Sequence, residues 1–186
     1  MSTFYRFAGL AVVLISFGLL VSALPSPRAE DAAWVITGTD PMSLIFANFF
    51  IEVKTCISAI AGCQDLVTLK ANIAIFVALC NKCAADLLKI GTVVKLTADA
   101  QASIVACFVA LFTLLVKVLL NLTVKFGLPV IISLCVEVDA CLHLLLKNLD
   151  VCFHGIVALI VKACAGSVVD AFFKLGFESC LPLFGL

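Results

Sequence analysis

The amino-acid sequence predicts an all-α protein, a disulfide-stapled bundle of about four to five amphipathic and strongly apolar helices. Three observations lead there. Helix-starting and helix-stopping residues recur along the chain at helical lengths. Polar residues line up on narrow stripes when the chain is wound at about 100° per residue. Ten cysteines, an even number, all follow an N-terminal segment with the layout of a secretory signal.

That signal occupies residues 1–23. Arg6 gives a sparse positive start, Phe7 to Leu20 is uncharged and apolar, and Val21-Ser22-Ala23 ends the segment at the cleavage position. Leu24-Pro25-Ser26-Pro27-Arg28 cannot continue a helix, because each proline lacks the N–H the helix needs and restricts its predecessor. The alternative is a retained first membrane helix, since Phe7 to Pro27 is long enough to span a bilayer. Residues 24–40 then form a mixed, polar N-terminal arm holding the only tryptophan, Trp34.

The helical domain covers residues 41–186. Asp40-Pro41 supplies an N-cap and a proline at the first helical position, opening a helix that runs to Gly62. A second helix spans roughly Gln64 to Ile90 and stops at Gly91. A third starts near Thr97 and ends at Gly127, before Leu128-Pro129. Pro129 opens a fourth, running to Ala165 and Gly166. Ser167 with Asp170 resembles a capping box and starts a short last helix that ends at Gly176. Strands are not expected: strict alternation is absent and turn residues are too sparse for hairpins.

Asp139, His143, Lys147, Asp150 and His154 fall within an arc of about 80° on the fourth helix. Asp99, Ser103, Lys117, Asn121 and Lys125 do the same on the third. Both stripes read as solvated faces, leaving most of each circumference apolar. Hydrophobic residues make up 64% of the chain and charged residues 13%, with a mean hydropathy of +1.26, against about 45–50% and about 25% in ordinary domains. Self-association or an apolar interface is therefore the expected partner, with lipid as a further option. Twelve basic and twelve acidic residues are interspersed, so nothing marks a nucleic-acid surface. Past the N-terminus the longest charge-free run, Ala100 to Val116, is seventeen residues, just under the roughly 18 a spanning helix wants. A multi-spanning membrane protein is the competing reading.

The cysteines are Cys56, Cys63, Cys80, Cys83, Cys107, Cys135, Cys141, Cys152, Cys164 and Cys180. Behind a signal peptide they imply a disulfide framework of five bridges, with the pairing open. Cys141 and Cys152 sit opposite the polar stripe, about 16 Å apart along the axis, so each must reach another helix. Cys80-Asn81-Lys82-Cys83 has redox spacing but no thioredoxin-like βαβ setting, and a zinc site would need clustered ligands. His143 and His154 are the only histidines. No GxSxG, HExxH, phosphate-loop or dinucleotide motif occurs, so no catalytic residue, metal or cofactor is assigned. Asn121-Leu122-Thr123 is a glycosylation sequon on the third helix's polar stripe, its use left open.

A short polar arm followed by a hydrophobic, cysteine-rich body resembles a group of small secreted proteins of mushroom-forming fungi. The resemblance implies a role in cell wall or extracellular matrix, supporting aerial hyphae and attachment independently of hydrophobins. The chain does not resemble a hydrophobin, because it lacks paired Cys-Cys doublets. It implies no enzyme activity. A lipid-carrying helical protein, with disulfides bracing a cavity, is the remaining alternative.

Overall fold

Asp40 begins the helical body by turning its carboxylate onto the Ser43 N–H at 2.9 Å, which satisfies a donor that the first turn leaves unpaired. The computed structural model describes residues 34–91, 95–164 and 166–184; the expected signal peptide at residues 1–23 and residues 24–33 of the expected arm lie outside them. Six α-helices and one 3₁₀ turn follow, with no strand among the described residues. They are α1 (Pro41–Ala61), α2 (Leu66–Ile90), α3 (Ala98–Phe126), α4 (Leu128–Cys152), α5 (Ile156–Ala163) and α6 (Gly166–Leu175), with the 3₁₀ turn at Leu181–Phe184.

The starts follow the expected chemistry. Pro41 stands in the first turn of α1. Asp65 caps α2 by accepting from the Thr68 N–H at 2.8 Å, and Thr97 caps α3 by accepting from the Ala100 N–H at 3.2 Å. Between α3 and α4 the chain turns on one residue. Gly127 has φ +86°, a conformation that costs glycine little, and its N–H closes on the Thr123 carbonyl.

The fourth helix departs from expectation. A single helix from Pro129 to Ala165 is not formed; α4 ends at Cys152 and α5 begins at Ile156. Phe153 is extended and Gly155 adopts φ +85°. Asp150, instead of facing solvent, accepts the Gly155 N–H at 3.0 Å and closes the bend. The last helix also starts one residue earlier than expected, at Gly166. The helix count thus exceeds the four to five expected because this bend divides one helix in two.

The four long helices form a ring in the order α1, α2, α4, α3, each packing on the next and α3 returning to α1. α5 and α6 then cover α3 from outside that ring. α3 therefore runs through the middle, its buried side chains facing every direction from Ile104 to Thr123. An aromatic chain crosses the core along it. Phe46 and Phe50 of α1 meet Phe108 at 5.4 and 5.2 Å between ring centres. Phe108 meets Phe112 at 6.0 Å, and Phe112 meets Phe172 of α6 at 5.4 Å. Phe172 stacks on Phe177 at 4.6 Å. Such pairs add about 0.5–1.5 kcal/mol each beyond the area they bury.

The arm's described end is docked. Thr37 donates its N–H to Ser103 Oγ at 3.1 Å and its hydroxyl to the Asp99 carbonyl at 3.0 Å. Trp34 packs edge-on against Phe50 at 5.9 Å.

Two outcomes test this packing. Phe108→Ala, which removes the ring where the α1 phenylalanines meet α3, should cost about 3–5 kcal/mol. For a chain of this size that lowers the melting temperature by about 6–20 °C in calorimetry. The Thr68 backbone N–H and hydroxyl hold the Asp65 carboxyl below the usual carboxylate range. Its contribution is thus complete above the unfolded value of about 3.9 and fades as pH falls through the lowered folded value. Asp65→Asn keeps a capping oxygen without the titration, so its acid unfolding curve should be shallower than that of the parent.

Candidate functional site

Two features of the folded chain have chemical potential: the cysteines inside it and the apolar side chains outside it. The cysteines sit on every long helix. Cys56 is on α1, Cys63 in the α1–α2 turn, Cys80 and Cys83 on α2, and Cys107 on α3. Cys135, Cys141 and Cys152 are on α4, Cys164 follows α5, and Cys180 lies in the C-terminal turn. All are buried except Cys164, which is half-buried.

The expected disulfide staples are not seen, and all ten cysteines are free thiols in this structure. Several sulfurs are engaged with backbone carbonyls instead. Cys56 donates to the Asn72 carbonyl at 3.4 Å, Cys63 to Ala59 at 3.3 Å, and Cys141 to Val138 at 3.1 Å. Cys152 donates to the Leu87 carbonyl at 3.3 Å, serving one of the four acceptors that the end of α2 leaves without a helical partner. Burial pushes the Cys107 thiol to about 12 and that of Cys164 to about 11. Burial, helped by the nearby Asp139 charge, brings Cys135 to about 12. Cys83, in the CxxC, is also raised by burial and then by Asp86. These thiols are protonated at neutral pH and poor nucleophiles, unlike a redox-active CxxC. No group of three or more metal-ligating side chains occurs among the described residues.

The fourth-helix stripe is not one solvated face. Asp139 is buried, and its two carboxylate oxygens accept the Ser179 N–H at 2.6 Å and the Cys180 N–H at 2.9 Å. One turn on, His143 donates from Nδ1 to the Ser179 carbonyl at 2.8 Å. Together they clamp the C-terminal turn to α4. Lys147 is exposed, and His154 is fully in solvent beside Asp150, at 3.9 Å. On α3, Asp99, Asn121 and Lys125 are exposed and Ser103 and Lys117 half-buried, as a narrow polar stripe requires. Lys125 nevertheless ties down a neighbour, donating to the Cys63 carbonyl at 2.8 Å and to Gln64 Oε1. Asn121 presents its sequon side chain to solvent.

Sequence reasoning missed Asn148, which is buried and donates to the Ala84 carbonyl at 3.0 Å, joining α4 to α2. It also missed the role of Asp139. An approach to residues 179 and 180 from forty positions away leaves no local pattern; the one available signal was a carboxylate in phase with histidine beside a broad apolar face.

The surface is unevenly covered. In their most apolar stretches 67% of α3 is buried but only 39% of α1 and of α4. α1, α3 and α4 are each long and apolar enough to cross a membrane. Val136, Leu144 and Val151 of α4 are exposed and lie within about 80° of one another around that helix. On α2, Ala71, Ala74, Ile75 and Ala78 form an exposed, uncharged strip between Lys70 and Asn81. Phe173 of α6 is 71% exposed. A groove between α1 and α2, lined by Asn48, Phe49, Glu52, Lys82, Cys83 and Asp86 among others, holds about 110 Å³. That is small beside the roughly 300–1,000 Å³ of typical ligand pockets, and its lining is charged. No protein family, characterised protein or solved structure matches the chain.

Asp139→Ala leaves the buried Cys180 N–H without an acceptor, at about 1–3 kcal/mol, and frees the part-buried Ser179 N–H. Hydrogen exchange at Ser179 and Cys180 should accelerate well before that of α3. Unchanged protection in the C-terminal turn would mean that the aromatic stack, not the carboxylate, holds it.

Proposed function

We propose that this protein is a secreted structural amphiphile that associates with cell wall, extracellular matrix or another hydrophobic interface, as the resemblance to small secreted proteins of mushroom-forming fungi implies. The observation that carries this reading is the uneven covering. The most apolar helix is 67% buried in its most apolar stretch, against 39% for α1 and α4, where Leu44, Ile51, Val136, Leu144 and Val151 stay exposed. Aliphatic side chains left on the outside gain about 25 cal/mol for each Å² they remove from water at an interface or against another copy. A net charge of zero offers no long-range repulsion to oppose association. No catalytic chemistry enters this reading: the thiols of Cys83, Cys107, Cys135 and Cys164 are held protonated by burial, His143 belongs to the C-terminal clamp, and His154 stands in solvent beside Asp150. The lipid-carrier reading has less in its favour: the α1–α2 groove is too small and too charged for an acyl chain. Membrane spanning is favoured by one observation, the length and hydropathy of α1, α3 and α4.

The test combines location with behaviour. Mature protein recovered from culture medium or wall, with an N-terminus near Leu24, excludes a retained anchor. In detergent-free solution that protein should lower surface tension and sediment as oligomers at micromolar concentration. Replacing Val136, Leu144 and Val151 together by serine should abolish most of the surface activity and change folding stability by no more than about 1 kcal/mol, since surface sites contribute little. A monomer that leaves the air–water interface unchanged, or recovery only from membranes, overturns the reading.

A further inference from the structure

The thiols are not scattered evenly through the core. Cys80 of α2 and Cys141 of α4 are side-chain neighbours across the α2–α4 interface, which also carries the Asn148 and Cys152 bonds. Both are buried, Cys80 completely. Cys56 and Cys83 also lie near Cys80, and Cys180 lies near Cys141.

We infer that Cys80 and Cys141 form a disulfide site, the first pair in the folded chain to bond when it meets a disulfide oxidant. The inference rests on the reading of the chain as a secreted protein, which supplies the oxidising compartment. The geometry favours this pair over its neighbours. Packed helices lie about 8–10 Å apart with Cα atoms about 2.3 Å from each axis, so facing Cα atoms come within about 3.5–5.5 Å. That overlaps the distance a disulfide spans. Cys80 and Cys83 are three residues apart on one helix, where Cβ atoms stand about 5–6 Å apart, too far without unwinding a turn. Cys56 and Cys63 are each held by Asn72. Its carbonyl accepts from Cys56 and its side-chain amide donates to Cys63 at 3.2 Å, so both bonds must break before these sulfurs can meet. Cys180 is turned toward the Asp139 carbonyl of α4 at 3.6 Å, whereas the carbonyl that Cys141 donates to, Val138, lies in its own helical turn.

The step is thiol–disulfide exchange. One of the two sulfurs, as thiolate, attacks oxidised glutathione, forming a mixed disulfide and releasing one glutathione thiolate. The second sulfur loses its proton and attacks the protein-side sulfur of that mixed disulfide, releasing the second glutathione. The S–S bond joins α2 to α4, two protons leave the protein thiols, and two electrons pass to the glutathione disulfide. Because the pair is buried, the reaction runs through local opening and should speed up in urea well below the unfolding midpoint.

The experiment treats reduced, full-length, folded protein with oxidised glutathione, alkylates the remaining thiols and maps peptides without reduction. Trypsin at Lys82 separates Cys80 from Cys83, and cleavage at Asp139 separates Cys135 from Cys141. The earliest product should have lost two of ten free thiols and carry a Cys80–Cys141 crosslink. Cys141→Ala should lose that crosslink. A first bond between any other two cysteines, or alkylation of both Cys80 and Cys141 in the oxidised product, overturns the assignment. Protein taken from the producing cells with every thiol free, yet forming this crosslink on oxidation, keeps the assignment and removes the secreted reading instead.

Discussion

The most apolar 18-residue stretch of α3 has a mean hydropathy of 2.6, and outside the narrow stripe of Ser103, Lys117 and Asn121 its middle is apolar. A helix with so broad an apolar face must be buried over most of its circumference, in a protein core or in lipid. The rest of the fold answers that demand. Two helices flank α3 within the ring, and the short α5 and α6 close the side the ring leaves open. The bend at residues 153–155 follows from it too, since a straight continuation of α4 would carry Ile156, Val157 and Ile160 past α3 rather than onto it. Gly155 and the Asp150 carboxylate supply that bend locally.

Once α3 is covered, few polar groups remain free for the outside. Asp139, His143, Asn148, Lys125 and Asp150 each hold one segment of backbone to another. The Asn148 and Asp139 bonds satisfy a buried carbonyl and a buried N–H, where a missing partner costs about 1–3 kcal/mol; the others tie segments together nearer the surface. In a chain with 13% charged residues, this internal use competes directly with solubility. The exposed strips on α2 and α4 are the other side of the same allocation.

Much of this was legible in the sequence because helix termini are written locally. Asp40-Pro41, Thr97 and Gly127 act within four residues of themselves, and the structure uses each at the expected boundary. Periodicity was legible for the same reason, and α3 keeps its narrow polar stripe. What was illegible depends on contacts between distant segments. Asp139 shares a phase with Lys147, yet one lies buried under the C-terminal turn and the other in water. The bend after Cys152 needed Gly155 to be read as a left-handed residue, although glycine inside an apolar run also occurs in continuous helices. The cysteine count spoke of an oxidising compartment, while the fold brings Cys80 and Cys141 together as neighbours across the α2–α4 interface.

The thiols and the exposed apolar strips are connected through the ring. α2 and α4 carry the neighbouring Cys80 and Cys141 on their inner faces, and on their outer faces the uncharged strip of α2 and the exposed aliphatic side chains of α4. An apolar interface rewards a helical protein for opening, because core side chains gain an alternative place to avoid water. In this ring, opening between α2 and α4 would expose α3, the most apolar segment, to that interface. A covalent link at Cys80 and Cys141 would forbid that separation while leaving the outer strips untouched. With the bond, the protein would adsorb as a folded body; without it, adsorption would compete with unfolding of the ring. The redox state of one buried pair would thus decide which apolar surface, the outer strips alone or the whole core, the protein offers to the interface.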